Sequence, residues 1–145
     1  MEVNVEFWNV QKPTTFGPEY LTLVMWAISP EGRPVNLGEV LIGGNDRGKL
    51  DVTRDLQAFA MIVTAESYYA VRRPSNVVVM ENAIRPDTVG TTEMVDAKYE
   101  LIDRGGHIPI GYKFDPVVLN AKLPLEFFEA RNALRIAQSA GAESY

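Results

Sequence analysis

Through the first hundred positions apolar and polar residues alternate with a period of two, and Pro, Gly, Asn and Asp cut the alternation into short runs. That is the pattern of antiparallel strands. VNVEFW at 3–8 predicts a first strand, stopped by a connection holding Pro13, Gly17 and Pro18. YLTLVMWAIS at 20–29 is apolar on both faces, with Leu21, Leu23 and Met25 on one and Val24, Trp26 and Ile28 on the other. It predicts a central strand covered on both sides. Ser29-Pro30-Glu31-Gly32 carries type I turn chemistry, so a hairpin leads into the run 33–42, where Gly38 interrupts the alternation and marks a bulge.

Four further runs continue the pattern. Leu50 and Val52 alternate with Lys49, Asp51 and Thr53, which predicts a half-exposed strand over 49–54. The run 58–66 is apolar on both sides, and NVVVMEN at 76–82 predicts another strand. Val95, Ala97, Tyr99 and Leu101 share one face of a run over 94–101. About seven strands result, and the expected fold is all-β, an immunoglobulin-like antiparallel sandwich with a C-terminal α-helix.

The pattern changes after Leu101. Gly105, Gly106, Pro109, Gly111 and Pro116 predict an irregular linker, so the chain divides into a sandwich domain at 1–105, a linker at 106–123 and a helical segment at 124–145. The helix has Pro124 at its first turn, Glu126 and Glu129 near its start and Gly141 at its end. Phe127, Ala130, Leu134 and Ala137 fall on one stripe that needs a partner surface, either the sandwich of the same chain or a helical association face.

A length of 145 residues with 46% hydrophobic content suits one domain with a sizeable core and excludes a disordered chain. The net charge of −5 argues against nucleic-acid binding. The basic pair Arg72-Arg73 reads as a solvated strand end. The absence of cysteine excludes disulfides, thiolate metal sites and a cysteine nucleophile. No apolar stretch approaches the ~20 residues needed to span a bilayer, so no membrane insertion by this segment is expected.

Candidate chemistry is sparse. Gly43-x-x-x-x-Gly48-Lys49 matches a phosphate-binding loop up to its lysine, but Leu50 stands where Ser or Thr should ligate Mg²⁺, and a strand pattern comes next. A glycine-rich hairpin loop is the better reading. His107 is the one histidine, which removes a two-histidine metal site. Glu66 and Glu81 on neighbouring runs form a formal glycosidase pair, with exposed positions at strand ends as the simpler explanation. Neither a catalytic residue, a cofactor nor a metal is expected. Tyr68 and Tyr69 are adjacent near a strand end, so one of them should be exposed and offer a ligand or partner surface.

The order YLTLVMWAISPEGRPVNLGEV, GKLDVTRDLQAFAMIVTAE, RRPSNVVVMENAIRPDT resembles the β-sandwich region near the N-terminus of bacterial envelope proteins that end in an outer-membrane-protein-A-like peptidoglycan-binding domain. The likeness covers roughly residues 14–105, and the helix resembles the start of the Ala-rich helical region of such proteins. A looser resemblance, on Trp26-Ala27-Ile28, Pro30, Gly32, Leu37-Gly38 and Val63-Thr64-Ala65-Glu66, is to the extracytoplasmic domain of anti-sigma-K factors. These resemblances imply a periplasmic or cell-envelope location, with an export signal outside this sequence, and no assigned catalysis. The expected function is a non-enzymatic structural or protein-interaction module of a larger envelope protein, with a protein partner or self-association through the C-terminal helix. The alternative is a ligand-binding sandwich, for carbohydrate among others, that uses aromatic residues near its loops.

Overall fold

A computed structural model describes residues 2–92, 98, 101, 113 and 122–142. It contains β1 (Glu2–Phe7), β2 (Thr22–Ile28), β3 (Pro34–Glu39), β4 (Leu41–Ile42), β5 (Gly48–Thr53), β6 (Ala60–Glu66), β7 (Val78–Glu81) and one helix, α1 (Leu125–Ser139). The strands form two antiparallel sheets: β1-β5-β4, here the front sheet, and β3-β2-β6-β7, the back sheet.

The core between the sheets arises from the alternation. Phe7 from β1, Val40 from the β3–β4 junction, Leu23, Met25 and Ala27 from β2, and Val63 and Ala65 from β6 are buried together. Val5, Leu50, Val52 and Ile42 of the front sheet pack against them. The opposite set on the back sheet, Val24, Trp26, Ile28 and Ile62, forms a second cluster with Val71, against which Tyr68 and Leu101 pack. Strand β2 is therefore apolar on both faces because both faces are covered, and all seven of its residues are buried.

The run 33–42 does not remain one strand. Its first part pairs with β2 in the back sheet and its last two residues pair with β5 in the front sheet. Val40 is the pivot: buried, with its N–H donating to the Leu23 carbonyl at 2.8 Å. The expected bulge at Gly38 is present. Met25 pairs with Gly38 and Trp26 with Asn36, so Leu37 is the extra residue, and Gly38 has φ 136°, a value that residues with a Cβ rarely adopt. The predicted turn closes the β2–β3 hairpin through Gly32 N–H to Ser29 O at 2.9 Å.

The expected strand at 94–101 and linker at 106–123 lie, apart from Lys98, Leu101, Lys113, Lys122 and Leu123, outside the described residues, as does His107. Seven strands are nevertheless present among the described residues, because the run 33–42 contributes two.

Candidate functional site

Strand β1 places Val3, Val5 and Phe7 toward the core and Glu2, Asn4 and Glu6 outward, as its alternating burial shows. On β5 the outward residues are Lys49, Asp51 and Thr53. Register then lines up Glu6, Lys49 and Leu41 across the three strands of the front sheet, because Lys49 is the partner of Glu6 on one side and of Leu41 on the other. Trp8 continues the outward series just beyond β1.

These residues surround an open concavity of about 530 Å³, lined by Glu6, Phe7, Trp8, Leu41, Arg47 and Lys49 together with Ile42, Gly43 and Gly48. Two large apolar side chains stand exposed on it, Trp8 at 58% and Leu41 at 54%. Its charged members are Glu6, Arg47 and Lys49. Lys49 donates to Asp51 at 2.9 Å. That hydrogen bond, and after it the Asp51 charge, holds the Lys49 amine above its ordinary value, and Glu6 adds to the same effect.

The floor is shaped by the loop that resembles a phosphate-binding motif. Gly43 N–H donates to Arg47 O at 2.8 Å and Asp46 N–H to Gly43 O at 3.2 Å, which closes a β4–β5 hairpin with Asp46 at φ 56°. Gly48 opens strand β5, so no helix N-terminus faces the loop. Gly48 is required by packing: a Cβ there would lie 2.9 Å from Val40 Cγ1 and 3.2 Å from the Leu41 carbonyl oxygen.

The aromatic pair Tyr68 and Tyr69 lies elsewhere, on the connection 67–75 at the back sheet. Tyr68 is half-buried against the Trp26 cluster. Tyr69 is 50% exposed, and its carbonyl is held by Asn36 Nδ2 at 2.9 Å. The same Nδ2 also donates to Val71 O at 2.9 Å, which pins the connection to the β3 edge. The residues of the predicted helical stripe, Phe127, Ala130, Leu134 and Ala137, are all exposed. The helix buries the neighbouring stripe instead, Phe128, Asn132 and Ile136, with Glu129 beside it.

Glu66 corrects the expectation of an exposed strand end, since it is completely buried. Its Oε1 accepts from Thr64 Oγ1 and from Ser75 N–H at 2.7 Å, and Ser75 Oγ donates to Ala65 O at 2.8 Å, so this carboxyl fastens the returning connection to β6. Burial raises its pKa, opposed by these hydrogen bonds. Glu81 is exposed and pairs with Ile62, four positions from Glu66 along β6. That spacing is about 13 Å of strand, beyond the separation of a glycosidase carboxyl pair.

Among the described residues no group of three or more His, Cys, Asp and Glu is arranged to hold a metal ion, and no helix is long and apolar enough to cross a membrane. No family model, curated protein or solved structure matches this chain.

Proposed function

We propose that this chain is a non-enzymatic interaction module on an immunoglobulin-like sandwich, and that it engages a protein partner through the front-sheet concavity. The observation that carries the reading is the exposure of Trp8 and Leu41 on one concavity that also holds Glu6, Arg47 and Lys49. Trp is enriched among residues that dominate binding energy, and an apolar anchor rimmed by charge is the usual anatomy of a contact centre. On the back sheet, Glu66 accepts from Thr64 and Ser75, and Asn36 donates to two carbonyls, so these groups serve the fold. The envelope setting of the module rests on the sequence resemblance.

A carbohydrate ligand is the second reading, favoured by an exposed indole with Glu6 and Lys49 nearby. Trp8, rather than Tyr68 or Tyr69, is its stacking surface. The test is selection of binders from a displayed peptide library on the wild-type chain, with a glycan panel run in parallel. Peptides that bind the wild type and lose at least about tenfold in affinity to Trp8→Ala and Leu41→Ala support the protein-interaction reading. Glycans with that behaviour support the second. Binders indifferent to both substitutions overturn the assignment of this surface.

A further inference from the structure

Among the described residues the two sheets end in the edge strands β1, β4, β3 and β7, and these edges are not equivalent. Strand β4 is two residues long, β7 is four residues long with a register break against β6, and the β3 edge is held by the connection 67–75 through the two Asn36 hydrogen bonds. Short, bulged or covered edges protect a sheet against a further strand. Strand β1 has none of these devices. It runs six residues in unbroken register with β5, contains neither Pro nor Gly, and has no strand on its other side among the described residues. A strand turns N–H and C=O groups to both of its sides, so those of β1 that point away from β5 form a template for another strand.

The side chains of this edge define the strand that fits it. Inward, Val3 and Val5 are only half-buried where Phe7 is buried, so the core is open here to apolar side chains of an added strand. Outward stand Glu2, Asn4 and Glu6, all exposed. Lys49 lies beside Glu6 in the register, but its amine is held by Asp51 at 2.9 Å, and the residue beside Glu2 is Thr53, so acidic groups are in excess along this face. Like charges directly opposite one another destabilise a strand pair and opposite charges stabilise it. A second copy paired antiparallel about Asn4 would set Glu2 against Glu6, whereas basic residues match both. Trp8 continues the outward series, and its place is fixed: Asn9 turns the chain at φ 55°, and Val10 N–H donates to Asp46 O at 3.0 Å.

We propose that β1 is a docking edge for an extended basic segment of a partner protein, which adds antiparallel to β1 as a new outer strand of the front sheet. The inference rests on the reading of the front sheet as an interaction surface and specifies the partner's chemistry. The segment sets basic residues opposite Glu6 and Glu2, an apolar side chain against Trp8, and apolar residues at the alternate positions over Val5 and Val3. Main-chain hydrogen bonds supply affinity, and the alternating side chains supply selectivity.

The probe is the blocked peptide Leu-Thr-Lys-Val-Thr-Val-Lys, titrated into the full chain at low salt to about 1 mM and followed by NMR. The β1 amides and the Trp8 indole should shift, and the amides on the free edge of β1 should gain protection from exchange. Peptides N-methylated at the odd or at the even positions should respond oppositely: one set loses at least about tenfold in affinity and the other binds like the parent, because only one set of N–H groups faces β1. Exchanging Lys for Glu in the peptide should weaken binding about fivefold, and Glu2→Lys combined with Glu6→Lys should reverse that preference.

Strand addition is overturned if both methylated sets bind alike, if the peptide does not bind by about 1 mM, or if the free-edge amides are already protected without peptide, which would mean that this chain or a second copy covers the edge. An unchanged charge preference in the double variant overturns the basic partner. Binding that Trp8→Ala and Leu41→Ala abolish and neither methylated set affects leaves the concavity as a contact surface without strand addition. Binding that depends on the methylated set and is indifferent to Trp8→Ala and Leu41→Ala supports strand addition and removes the concavity.

Discussion

Trp26 Nε1 donates to Thr64 Oγ1 at 2.8 Å across the β2–β6 pair, and Thr64 Oγ1 donates in turn to Glu66 two residues further along. One chain of hydrogen bonds thus joins the largest buried aromatic to the carboxyl that fastens the connection 67–75. The apolar body of Trp26 lies in the second cluster while its one polar atom is satisfied, which is the condition for burying an indole completely.

Replacing Trp26 with Ala removes that packing and leaves the Thr64 hydroxyl without its donor. The expected loss is about 3 to 5 kcal/mol in urea unfolding. Trp26→Phe should cost less, about 1 to 3 kcal/mol, because most of the volume remains. A Trp26→Ala variant as stable as wild type would be incompatible with the place given to this strand.

Glu66 is expected to matter through its hydrogen bonds rather than its charge. Glu66→Ala should lose about 2 to 3 kcal/mol, and Glu66→Gln, which keeps an acceptor for Ser75 and Thr64, about 1 kcal/mol or less. Because burial raises the pKa of the folded carboxyl, its contribution to stability is complete below the unfolded value and is lost as pH rises through the folded one. Stability of the wild type should therefore decline more steeply than that of Glu66→Gln as pH rises above the ordinary Glu value of 4.5. Parallel declines would show that the carboxyl does not titrate as described.

Gly48 and Gly44 sit in one hairpin and should respond differently to a methyl group. At Gly48 the added Cβ meets Val40 and the Leu41 carbonyl, and a shift of backbone is required. The expected cost is about 1 to 3 kcal/mol, from overpacking. At Gly44 nothing lies within 4 Å, so Gly44→Ala should stay within about 0.5 kcal/mol. Thermal unfolding of the two variants compares them directly; equal effects would argue against the close approach of β4 to β5.

Much of this arrangement is legible in the residue pattern, for local reasons. Strand β2 declares itself because neither of its faces carries a charge, and Gly38 marks the bulge because it breaks an otherwise regular alternation. The sheet switch at Val40 is hidden, since 33–42 reads as one run and only the backbone direction distinguishes its two halves. The burial of Glu66 is hidden too, because it is created by the connection 67–75 folding back through Ser75. The helix offers two stripes at equal spacing, and the buried one is masked by Glu129 and Asn132. Trp8 does carry a signal: alternation from Glu2, Asn4 and Glu6 assigns it to the polar face of β1, where an indole is out of place without a partner.

Binding at the surface formed by Trp8 and Leu41 is the central claim. Its most direct test is a two-dimensional NMR titration of the isotopically labelled chain with a peptide selected on the wild type, monitoring the Trp8 indole N–H and the amides of Leu41, Arg47 and Lys49. These signals should shift together while the Trp26 indole stays in place. Shifts confined to the back sheet or to α1, with the Trp8 indole unmoved, would contradict an interaction surface on the front sheet.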